Sequence, residues 1–93
     1  MSDNTIASLE RELAEFLGAD LPEHPAADVH EALQVATLLE SKGYAFTLRD
    51  LCPKSMSSNW RACFTKDGDE FASEGPESAL AVCTAAVAAL RNA

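Results

Sequence analysis

The sequence predicts an α+β domain in which a three-stranded antiparallel sheet packs with helices, in the order α-α-β-β-β-α. Three observations carry that prediction. Apolar residues recur at helical spacing through residues 6–17, 29–39 and 80–90. Between Tyr44 and Glu74 the pattern changes to alternation. The dipeptide Asp67-Gly68 stands between two alternating runs, where a two-residue hairpin turn belongs. Together they describe an αβα sandwich forming one domain over residues 1–93. Residues 1–27 supply an N-terminal helix and linker, and residues 28–93 an αβββα core.

Asp3 is placed to cap the first helix. Ile6, Leu9, Leu13, Phe16 and Leu17 fall on one arc of it, with Glu12 and Glu15 turned away. Gly18 supplies the stop. Residues 18–27 contain Gly18, Pro22 and Pro25, too broken for helix or strand. Asp28 and Glu31 read as a capping pair for the second helix. Its expected stripe is Val29, Ala32, Leu33, Ala36 and Leu39, with Leu38 on the polar side as a scattered apolar residue or part of a contact surface. Lys42 and Gly43 end it.

Tyr44, Phe46 and Leu48 alternate with Ala45, Thr47 and Arg49 in a first strand. Residues 52–58 form a loop. The second strand runs from Asn59 to Lys66, with Trp60, Ala62 and Phe64 on the buried side and Arg61, Cys63 and Thr65 opposite. A two-residue turn at Asp67-Gly68 pairs Lys66 with Asp69 and sets Phe64 opposite Phe71. The third strand is short and acidic, Glu70 to Glu74. Pro76 suits the first position of the last helix, and Glu77 its positive end. Leu80, Cys83, Val87 and Leu90 mark the buried stripe of that helix. Its many alanines favour helix and allow a neighbour to approach closely.

Ninety-three residues make one domain with one modest core, burying roughly 60–70% of the unfolded surface. The polar, acidic start Met1-Ser2-Asp3-Asn4 does not read as a secretory signal. Apolar runs fall short of the roughly 20 residues of a membrane span. The three cysteines, Cys52, Cys63 and Cys83, are odd in number and widely spaced, which suits a reducing cytoplasm better than a disulfide framework.

Charge is the clearest functional signal. Fifteen acids oppose seven bases, for a net charge of −8. The excess sits at the ends: −7 over residues 1–31, +3 over 32–66, −4 over 67–93. Such a field repels nucleic acid and anionic membranes and attracts basic protein surfaces. Glu12 and Glu15 are helix neighbours, and Asp67, Asp69, Glu70 and Glu74 crowd one hairpin. Rows of carboxylates can imitate the phosphates of duplex DNA, so these six residues are the candidate partner-binding set. The competing reading is solubility.

Four stretches resemble the phage ABA sandwich domain, a family of small phage and prophage proteins. They are LAEFLG (Leu13 to Gly18), HPAADVHEALQVATLLESKGY (His24 to Tyr44), NWRACF (Asn59 to Phe64) and EFASEGPESALAVCTAAVAAL (Glu70 to Leu90). The resemblance implies an αβα fold, a phage origin and no catalytic residues. It also favours a protein that acts by binding and disabling a host protein.

His24 and His30 lie near Glu23, Asp28 and Glu31, but their spacing matches no zinc pattern, and they read as solvated surface residues. Cys63 and Cys83 read as buried, inert thiols. Cys52, before Pro53, is the exposed thiol. Lys54-Ser55 lacks the glycines of a phosphate loop. Trp60-Arg61 could stack a base beside a phosphate, yet the flanking charge opposes it, and Trp60 reads as core opposite Gly75. The expected function is therefore non-enzymatic, without cofactor or metal. It is an acidic inhibitor of a host nucleic-acid-handling defence complex, anti-CRISPR-like, acting by DNA mimicry on a basic surface such as that of a CRISPR-Cas effector subunit. The alternative is a structural or accessory phage protein acting as a homodimer through the last helix or the edge strand.

Overall fold

The computed structural model describes residues 2–18, 25, 28–51 and 59–92, with backbone alone for 2–6. Six elements follow in order: α1 (Ser2–Leu17), α2 (Val29–Glu40), β1 (Ala45–Asp50), β2 (Trp60–Lys66), β3 (Asp69–Gly75) and α3 (Ser78–Arg91). The strands form an antiparallel meander, β1-β2-β3. The fold is therefore α+β, with a three-stranded antiparallel sheet packed against helices.

The register follows from the turn. Asp67 and Gly68 both take positive φ, +54° and +87°, the requirement of a type I′ hairpin. Lys66 then faces Asp69, Phe64 faces Phe71 and Trp60 faces Gly75. On the other side of β2, Phe46 faces Phe64 and Leu48 faces Ala62. Pleating sends Phe46, Leu48, Ala62, Phe64 and Phe71 to one face, where they join the core with the helices. The Phe46 and Phe64 rings lie 4.9 Å apart. Tyr44 meets Phe64 edge-on at 6.4 Å and donates its hydroxyl to the Ala89 carbonyl, which ties the start of β1 to the end of α3.

α3 is the hub. Ala79, Ala81, Val82, Cys83, Ala85, Ala86, Val87, Ala89 and Leu90 are all buried. A helix apolar on most of its circumference must be covered on most sides, and α3 touches the sheet, α1 and α2. Five of its six alanines are thus packed against the rest of the chain, and Ala88 is half-buried.

Several local expectations shift for packing reasons. α1 begins at Ser2, placing Asp3 inside the first turn. Its seam on α3 uses Leu9, Leu13 and Leu17, spaced by four, and Phe16 falls beside that narrow seam at 43% exposure. In α2 the buried set is Ala32, Val35, Ala36 and Leu39. Leu33 lies about 100° from Ala32 around the helix and stays exposed. Asp28 is the N-cap of α2, as expected, and accepts from the His30 amide at 2.8 Å, with Glu31 in the first turn. Asn59 stays outside β2, which begins at Trp60, and β3 extends through Gly75. Pro76 and Glu77 are therefore spent on the exit from the sheet. Glu77 becomes the N-cap of α3, without a side-chain bond. Trp60 is half-buried, because its cross-strand partner Gly75 offers no side chain to pack on. Gly18 (φ +63°) and Gly43 (φ +101°) close α1 and α2 as expected. His24 and Cys52, with the rest of the linker and the 52–58 loop, lie outside the described residues, except that Pro25 is fully buried.

Candidate functional site

The face of the sheet turned from the core carries Ala45, Thr47 and Arg49 from β1, Thr65, Cys63 and Arg61 from β2, and Glu70, Ala72 and Glu74 from β3. Arg61 stands directly opposite Glu74 and donates to it at 2.8 Å. Its other terminal nitrogen reaches Glu70 at 3.5 Å. The hydrogen bond that Arg61 donates to Glu74, and then the charges of Glu74 and Glu70, raise the Arg61 pKa above its ordinary value against an opposing desolvation. One guanidinium thus serves two carboxylates, these three side chains summing to −1, with Arg49 directly opposite Arg61 on its other side. Cys63, two residues along, is buried and shares a 3.7 Å contact with the Thr65 hydroxyl.

Asp67 and Asp69 sit exposed on the hairpin tip, without an ion pair among the described residues. The tip lies beside the end of α3. Tyr44, Lys66, Asp67, Asp69, Phe71 and Asn92 line a shallow concavity of about 210 Å³ there. Lys66 is held in place by its bond to the Lys42 carbonyl at 3.1 Å and by the Tyr44 ring, 5.0 Å below its ammonium. That cation faces the end of α2, where the dipole favours it. On α1, Glu12 accepts from Arg91 at the end of α3, and Glu15 is exposed, with no ion pair among the described residues.

The six candidate carboxylates therefore divide. Glu12, Glu70 and Glu74 are held by Arg91 and Arg61, whereas Glu15, Asp67 and Asp69 make no ion pair among the described residues, with Lys66 facing Asp69 across the turn. Glu12 and the hairpin tip both lie near the end of α3, and Glu74 lies at the far end of the hairpin. Arg61 as a bridging residue was readable from the Asp-Gly turn, which fixes it across from Glu74. No local signal could have joined Glu12 to Arg91.

A second concavity, about 290 Å³, runs between β3 and the first half of α3 and is lined by Ser73, Glu74, Gly75, Pro76, Glu77, Leu80, Ala81 and Thr84. Cys83 is fully buried, and burial pushes its thiol up to about 12, with Glu10 adding to the effect. His30 is exposed. Among the described residues, no group of three or more His, Cys, Asp or Glu side chains could hold a metal ion. No described helix is long and apolar enough to cross a membrane. The sequence matches no protein-family model and no curated protein.

Proposed function

We propose that this chain is a non-enzymatic, phage-type binding protein of the infected bacterial cytoplasm. It occupies a basic, nucleic-acid-handling surface of a host defence complex, in the manner of an anti-CRISPR protein. The observation that carries this reading is the hairpin tip. Asp67 and Asp69 stand exposed on either side of Gly68, and neither takes part in an ion pair among the described residues. Glu15 is a third exposed carboxylate without an ion pair among the described residues. A carboxylate left unpaired keeps its full attraction for a partner's lysine or arginine, whereas a paired one must first give up its own cation. The likeness to small phage proteins and the net charge of −8 support the same reading.

The test is capture from bacterial lysate at low and high salt, followed by DNA binding of the captured complex. The expected result is salt-sensitive capture of a nucleic-acid-handling protein whose DNA binding is blocked. A double variant, Asp67→Asn with Asp69→Lys, should relieve both effects. Asparagine is chosen because it also tolerates the positive φ at position 67. Capture that survives high salt and the double variant overturns the reading.

A further inference from the structure

The strand β3 is an outer edge of the sheet. Lys66 and Asp69 close a two-residue turn, so they exchange backbone hydrogen bonds, and so do the pairs at every second position after them. Asp69, Phe71, Ser73 and Gly75 therefore bond to β2. The N–H and C=O groups of Glu70, Ala72 and Glu74 point outward, and no described residue takes them. Edges are usually blocked by lysine, proline or a bulge. β3 contains no lysine or proline, and its register with β2 is unbroken. Its guard is negative charge: Asp69, Glu70 and Glu74 on the strand and Glu77 just after it.

That guard is selective. A second copy pairing along the whole strand would set Ala72 opposite Ala72, and hence Glu70 opposite Glu74 twice over. Like charges directly opposite destabilise a strand pair. A basic strand meets the reverse condition. Side chains on one of its faces would lie beside Glu70 and Glu74, whose two charges the single Arg61 offsets only in part. Those on the other would cover the groove lined by Ser73, Pro76, Leu80, Ala81 and Thr84.

We propose that β3 is a docking edge for an extended basic segment of a protein partner, with lysine or arginine alternating with small apolar residues, which adds to the sheet as a fourth strand. This rests on the acidic-binder reading above and names the chemistry of the partner. Main-chain bonds to Glu70, Ala72 and Glu74 supply the attachment, and side chains supply the selectivity.

An alternating Lys–Val peptide, blocked at both ends, is titrated into the ¹⁵N-labelled protein, with an alternating Glu–Val peptide as control. The Lys–Val peptide should slow exchange of the Glu70, Ala72 and Glu74 amides by about tenfold or more, and the control should not. Ala72→Pro removes an outward N–H that the sheet does not use, a change edge strands tolerate. It should weaken binding by about tenfold. Paired Glu70→Gln and Glu74→Gln changes keep the backbone and should weaken binding too. Binding that ignores Ala72→Pro but is lost in the Asp67→Asn, Asp69→Lys variant overturns strand addition and leaves the acidic tip standing. Binding of neither peptide overturns strand addition. Protection of the same three amides without peptide, in a particle of dimer mass by light scattering, assigns the edge to a second copy and overturns it as well.

Discussion

The two faces of the sheet are built from the same three strands, one residue out of step, and they have opposite physics. On the inner face Phe46, Phe64 and Phe71 pack into the core beneath the helices, and Phe64 is fully buried. On the outer face the same strands carry Arg49, Arg61, Glu70 and Glu74, all reaching solvent. The inner face holds the chain together, and the outer face and its edge carry the charge with which it can recognise something. A one-residue slip would exchange the two sets. The Asp67-Gly68 turn is what prevents it.

The largest break in this contrast is Phe64→Ala. It should cost about 3–5 kcal/mol, read by urea denaturation. Cys63→Ala, its neighbour on the opposite face, should cost under about 1.5 kcal/mol. Equal losses would mean that the outer face is also packed.

Cys83 separates the buried interior from the charged exterior in another way. Its thiol titrates near 12 in the fold, against about 8.5–9 when exposed. The unfolded chain therefore releases this proton first as pH rises. Stability is undiminished below about pH 8.5, then falls through the window up to about 12. The loss is roughly 1–2 kcal/mol by pH 10. The same urea titration on Cys83→Ala should lose that part of the alkaline slope, and a slope unchanged by the substitution would place the titration elsewhere.

Gly68→Ala acts on the turn itself. Nothing lies within 4 Å of the added methyl, but φ is +87°, so the cost is backbone strain of about 1 kcal/mol. Amide exchange should quicken first in β3, next to the turn. A uniform loss across the sheet would mean that the turn is not what holds the register locally.

How much of this was legible in the sequence depends on how local each cause is. Asp67-Gly68 contains the whole reason for its turn, so the pairing of Phe64 with Phe71 and of Trp60 with Gly75 could be read directly. Gly18 and Gly43 likewise close their helices by their own backbone freedom. Phe16 and Leu33 read as core because periodicity marks an arc, whereas packing is set by how wide a seam the neighbouring helix offers. The all-round burial of α3 was hidden for the same reason: alanine fits a surface or a core equally, and only the surrounding elements decide. In the candidate site, Asp67 and Asp69 could be placed from the turn alone. The neutralisation of Glu12 by Arg91 needed a contact across 79 positions, which no local pattern encodes.

The smallest effect on stability is the one that bears most on recognition. Arg61→Ala removes a solvent-reaching guanidinium from two half-exposed carboxylates, and ion pairs screened by water add little to stability. The folded state should hardly notice. Binding should notice, because Arg61 competes within the chain for the carboxylates an incoming cation needs. Its loss takes the summed charge of these three side chains from −1 to −2 without altering the backbone of β3. A basic ligand at this edge should therefore bind a few-fold tighter to the variant, with a steeper salt dependence. Calorimetric titration of wild type and variant at two salt concentrations measures both quantities. Unchanged affinity would mean that the outer face is a solvated surface and that the hairpin tip acts alone.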